Sequence, residues 1–201
     1  IRPMLPSLAS YFLFGAGYIT YMTFMIAFLR SADASPAEQA AFWCAIGVGG
    51  VLSPLAWSGA LGRLGGGKGL AAGNLVTLIG AAAPLLARSF PAELLSGVVA
   101  GLGIFGVTAA TSVFVRKTLP PAAWASGVGA MTVAFSLGQT VGPVLTGFVT
   151  DAFGSLSAGL GCGAGLLALA VVIAAAQRDL PAFDVAPPGA MPDDLRADRA
   201  L

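Results

Sequence analysis

The placement of charge constrains this chain more than any other feature. Six stretches, at about 7–29, 39–61, 69–87, 94–115, 122–150 and 155–177, contain no Asp, Glu, Lys or Arg. Each is near or above the ~20 apolar residues that a helix needs to cross a bilayer. Ala, Leu and Gly dominate them, without the dyad alternation of a membrane barrel strand. The reading is an all-α membrane protein, a bundle of six transmembrane helices with the lipid bilayer as its solvent. The fifth stretch is long enough to tilt or to extend past the bilayer.

Composition closes off the alternatives. Only 9% of the 201 residues are charged, against about 25% in a soluble domain, so there is too little polar surface to cover a globule in water. That excludes a disordered chain, a water-soluble enzyme and a basic nucleic-acid binder. The chain has no His, so neither a zinc triad nor a Ser-His-Asp relay can be built. No carboxylate pair lies within a span, and we expect no enzyme activity, no metal and no cofactor. Cys44 and Cys162 lie inside apolar runs at a spacing that suits neither a metal site nor a disulfide framework, and read as packing residues.

The links carry the orientation. Arg2, Arg63, Lys68, Arg116, Lys117 and Arg178 fall on one side of the six spans, and only Arg30 and Arg88 on the other, beside Asp33, Glu38, Glu93 and Asp151. This positive-inside bias expects both termini in the cytoplasm. Residues 178–201, with four prolines and eight charges, are expected to form a disordered cytoplasmic tail. The chain begins with Ile rather than Met, so a fragment or a processed product is expected, and no signal peptide with a small-residue cleavage site stands out.

Two glycine motifs mislead. Gly101-Leu-Gly-Ile-Phe-Gly106 matches a dinucleotide fingerprint, but it sits within a span rather than after a strand. Gly62 to Gly69 nearly matches a phosphate loop, yet Gly69 stands where the magnesium-holding Ser/Thr belongs, and a tight turn is expected instead. Gly97-x-x-x-Gly101 and Gly138-x-x-x-Gly142 have the small-residue spacing of close helix packing.

Polar and aromatic stripes are more informative. Tyr11, Tyr18 and Tyr21 share a face of the first span. An aromatic belt suits Tyr11, whereas Tyr18 and Tyr21 lie near mid-span, where a cavity-lining role competes with packing. Trp43, Gly47, Gly50, Pro54 and Trp57 form a stripe on the second span, read as a packing groove or as the wall of a cavity. Thr132, Ser136, Gln139, Pro143 and Thr146 form a third stripe on the fifth span. A whole polar stripe exceeds what one interhelical hydrogen bond requires, and it points to a polar cleft. Asn74, Thr77, Thr108 and Thr111 are weaker candidates.

Gly138-x-x-x-Gly142-Pro143-x-x-x-Gly147 resembles the glycine-proline motif of the major facilitator superfamily. Gly147-Phe-Val-Thr-Asp151-Ala-Phe-Gly154 resembles its G-x-L-x-D-R-x-G loop motif, with Val149 for Leu and Ala152 for Arg. Gly59-Ala-Leu-Gly-Arg63-Leu-Gly65 is a shortened version without the Asp. The string from Gly15 to Phe24 is similar to helix seven of the YbfB/YjiJ-type bacterial members. Over residues 1–180 the resemblance implies the C-terminal six-helix half of a twelve-helix carrier in a bacterial inner membrane, with a missing N-terminal half as partner. It implies alternating access and a small-molecule substrate, an organic solute or drug-like compound, in a cavity lined by the first, second, fourth and fifth helices of each half. The substrate-binding candidates are then Tyr18, Tyr21, Trp43, Thr111, Ser136 and Gln139. Gly138, Gly142 and Pro143 would shape packing during rocking, and Arg63 and Asp151 belong to the loop motifs. A non-transporting scaffold or sensor that dimerises through its glycine faces is the competing expectation.

Overall fold

Each uncharged stretch becomes one helix, because in lipid the backbone must satisfy its own hydrogen bonds. In the computed structural model, which describes residues 2–180, these are α1 (Leu5–Ser31), α2 (Pro36–Arg63), α3 (Lys68–Leu86), α4 (Phe90–Thr118), α5 (Trp124–Phe153) and α6 (Leu156–Ala175). All six are long and apolar enough to cross a membrane. The 19 residues of α3 give a rod of about 28 Å, barely the thickness of the hydrocarbon core, and the 30 residues of α5 one of about 45 Å. Most of the expected tail, residues 181–201, lies outside the described residues.

Local chemistry sets the helix ends. Ser35 Oγ accepts the Glu38 amide at 3.3 Å while the Glu38 carboxylate accepts the Ser35 amide at 2.8 Å, a reciprocal box that starts α2. Gly154 closes α5 in the left-handed conformation at φ 61°, which costs glycine nothing.

Packing follows an inverted-repeat pattern. α1 packs chiefly on α5 and α6, α4 on α2 and α3, and α3 meets α6. Exchanging the first three helices with the last three preserves that scheme, as expected of a three-plus-three repeat. Glycines form the matching seams. Gly138 and Gly142 of α5 lie against the main chain of Phe12 and Ala16 in α1, and Gly49 and Gly101 set α2 against α4 in the same way. A Cβ at any of these four would collide with a neighbouring backbone. The spaced glycine pairs are therefore engaged by helices of the same chain.

Buried polar groups tie the helices together. Asn74 Nδ2 donates to Ser10 Oγ at 3.1 Å, and Ser10 Oγ donates to the Ala170 carbonyl at 2.9 Å, joining α3, α1 and α6. Thr20 and Thr146 pair at 2.9 Å across α1 and α5. Pro84 lacks the amide that would close on the Gly80 carbonyl. Ser96 Oγ of α4 donates to that carbonyl at 2.8 Å instead.

The two ends differ. At the end where α1 begins and α6 finishes, Gln177 bonds to Ser7 and Pro3, its carbonyl accepts the Gly67 amide, and Lys117 Nζ donates to the Leu61, Gly62 and Leu64 carbonyls at the close of α2. At the far end Arg88 bonds Ser157 at 3.1 Å and lies over the Phe28 ring.

Candidate functional site

Four helices converge on a mid-depth cavity. Phe14, Tyr18 and Met22 of α1, Ile46 of α2, Ile104, Phe105 and Thr108 of α4 and Phe135 of α5 line an open cavity of about 320 Å³. None of these residues is charged. Their helices run past one another at glycine seams, and this close approach is what brings four walls together. Tyr18 is midway along the 27 residues of α1.

The α1–α5 wall is aromatic. Phe14 and Tyr18 rings lie 5.1 Å apart at 17°, Tyr18 and Phe135 5.4 Å apart at 12°, and Tyr11 and Phe135 5.0 Å apart at 22°. Offset near-parallel rings at this spacing attract beyond their area burial. At the edge of the slab Gln139 Nε2 of α5 donates to Tyr18 Oη. Pro143, four residues on, leaves the Gln139 main-chain carbonyl without its helical donor. A polar side chain and a released carbonyl thus share one position on α5.

The structure sorts the sequence candidates into two groups. Tyr18 and Gln139 are brought into contact, and Ser136 is exposed one turn from Gln139 on α5. Tyr21, Thr111 and Trp43 are not at the cavity. Tyr21 is 1% exposed and points inward, its hydroxyl 2.6 Å from Ser96 Oγ. Because Ser96 spends its proton on Gly80, Tyr21 is the donor. Thr111 is buried and donates back to the Val107 carbonyl at 3.0 Å, while Thr108 lines the cavity. Three residues along a helix turn the side chain by about 60°. That rotation separates Tyr18 from Tyr21 and Thr108 from Thr111. Trp43 is 42% exposed and packs edge-on against Phe42.

Gly138 and Gly142 are buried in the α1–α5 seam, immediately around Gln139. Arg63 closes α2 at the terminal end and Asp151 lies near the end of α5, both exposed. Sequence reasoning missed Phe14, Phe135, Ile46, Ile104 and Phe105. Phe14 lies four residues before Tyr18, and Phe135 four before Gln139, so helical spacing alone would have put them on the same faces. In a span that is apolar all round, such positions carry no contrast to find them by.

A wider groove of about 600 Å³ continues between α2 and α4, sharing Phe105 and Thr108 with the cavity and reaching Trp57 and Leu61. Trp57 Nε1 donates to the Leu102 carbonyl at 2.9 Å, holding the indole over Gly106. The terminal-end pocket of about 580 Å³ beside Gly65, Gly66 and Lys117 is of another kind, since Lys117 spends its donors on helix carbonyls. Among the described residues no group of His, Cys, Asp or Glu is arranged to hold a metal.

A family model described as an uncharacterised MFS-type transporter, YbfB, matches residues 1–175. Comparison with curated proteins returns no match.

Proposed function

The chain belongs to the YbfB family of MFS-type transporters, and from that membership we propose that it forms one six-helix half of a secondary carrier that moves a small organic solute by alternating access. The observation that carries this reading is the uncharged aromatic cavity, drawn at mid-depth from α1, α2, α4 and α5 with the Tyr18–Gln139 pair at its edge. Such a lining suits an organic solute better than a bare ion, which needs compensating charge in a low-dielectric site. Gly138, Gly142 and Pro143 surround the polar position and let α5 move along α1 without side-chain obstruction. The N- and C-termini are cytoplasmic by the positive-inside argument, in a bacterial inner membrane, and a second six-helix half completes the cavity.

Two-sided thiol labelling tests the mechanism. Cys44 is exposed and Cys162 partly so, so both are first replaced by Ala. Ser136→Cys is then exposed to a membrane-impermeant maleimide from either face of sealed vesicles holding the full-length protein. Labelling from both faces is expected. Labelling from one face only, under every condition, overturns alternating access at this site.

A further inference from the structure

The hydrogen-bonding arrangement at the cavity edge specifies a solute class more narrowly than the apolar lining does. Gln139 Nε2 donates to Tyr18 Oη. A phenol has one proton and a carboxamide one carbonyl oxygen. With the Tyr18 oxygen accepting from Gln139, its own proton is left to donate. With the Gln139 nitrogen donating to Tyr18, its Oε1 is left to accept. Among the described residues neither group has another side-chain or main-chain partner. A free donor and a free acceptor therefore stand side by side, and a solute that meets both must offer an acceptor and a donor on adjacent atoms.

The walls add shape and charge. Phe14, Tyr18 and Phe135 keep their ring planes within 25° of one another, so they present one common orientation against which a flat ring stacks. Ile46 and Ile104 add aliphatic surface to the lining. The nearest charges on the cavity's own helices are eight residues from its lining, Glu38 from Ile46, Arg30 from Met22 and Arg116 from Thr108, which is about 12 Å along a helix. A charged solute would find no counter-ion among these residues.

We infer that the cavity recognises a flat, uncharged ring compound bearing a cis-amide edge, a lactam or primary carboxamide, whose N–H donates to Gln139 Oε1 and whose carbonyl accepts from Tyr18 Oη. The inference rests on the proposed carrier reading for its cavity, but it is tested by binding alone. The probe is 2-quinolinone, which carries a lactam N–H beside its carbonyl on a planar bicycle. It is measured by calorimetry on the full-length protein in detergent, against N-methyl-2-quinolinone, which lacks the donor, and N-methylquinolinium, a fixed cation.

The expected result is that 2-quinolinone binds about tenfold more tightly than its N-methyl analogue. Gln139→Leu should abolish that preference, and the variant's melting point in detergent, read alongside, shows that it is folded. Tyr18→Phe should weaken both lactams similarly, since each offers the carbonyl. Equal binding of the two lactams, no binding of either, or tighter binding of the cation overturns the inference. Two-sided labelling at Ser136→Cys stands or falls independently, so loss of this recognition and loss of the carrier mechanism give different results.

Discussion

Gln177 lies 170 residues from Ser7 in sequence, yet it caps the start of α1. Its Oε1 accepts from the Ser7 amide at 3.3 Å and from Ser7 Oγ at 3.1 Å, and its Nε2 donates to the Pro3 carbonyl at 3.1 Å. Met4, at the N-cap position, gives α1 no side-chain cap. Gln177 is 5% exposed and Ser7 is fully buried, so Gln177→Ala leaves two buried donors without an acceptor. Each costs about 1–3 kcal/mol. Water reaching this end of the bundle recovers part of that, and about 3 kcal/mol remains. For a chain of this size about 3 kcal/mol lowers the melting temperature by about 6–12 °C. The assay is thermal unfolding in detergent at one fixed scan rate, because membrane proteins unfold irreversibly and the midpoint is rate-dependent. A double-mutant cycle with Ser7→Ala should show coupling of about 1 kcal/mol, since both variants remove the same bond. A melting point within about 2 °C of wild type, together with simple additivity in the cycle, would refute the capping argument.

The glycine seam gives a sharper contrast. Gly142→Ala, whose Cβ meets the Ala16 backbone, should destabilise by about 2 kcal/mol or more, whereas Gly147→Ala, which meets nothing, should be neutral or stabilising by up to about 1 kcal/mol. The same melting assay reads both. Lys117→Met removes three donors from the carbonyls that end α2 and should cost about 1–3 kcal/mol, with Lys117→Arg recovering part of it. Tyr21→Phe should lower stability by about 1 kcal/mol without changing ligand affinity, because its hydroxyl serves Ser96 in the bundle interior. Tyr18→Phe should weaken ligand binding, and a loss of ligand affinity in Tyr21→Phe with none in Tyr18→Phe would mean that the cavity has been drawn on the wrong tyrosine.

Much of the fold is legible without coordinates. Uncharged runs in lipid leave the backbone one choice, so six helices follow from the spacing of Arg, Lys, Asp and Glu alone. The link chemistry is local too, as Ser35 with Glu38 illustrates. The site is only half legible. Gln139 stands out because an amide at depth in a bilayer needs a partner, and that requirement is readable from the residue itself. The identity of the partner is not.

Gly138 and Gly142 could be marked as packing positions by their spacing, but only the packed bundle assigns α1 as the helix they admit. The stripe argument placed Tyr18 and Tyr21 on one face. Tertiary packing then divided them, since a rotation of about 60° is within the breadth of a stripe yet enough to move a side chain from a concave surface into the interior. Phe14, Phe135 and Ile104 were invisible for a related reason. When lipid, core and cavity wall are all apolar, hydrophobicity no longer distinguishes them, and only the neighbours do. Sequence alone determined that this chain crosses a membrane six times and which end of the bundle is basic. The tertiary structure decided which polar groups meet at its centre, because side chains far apart in sequence find one another only after glycine has let the helices close.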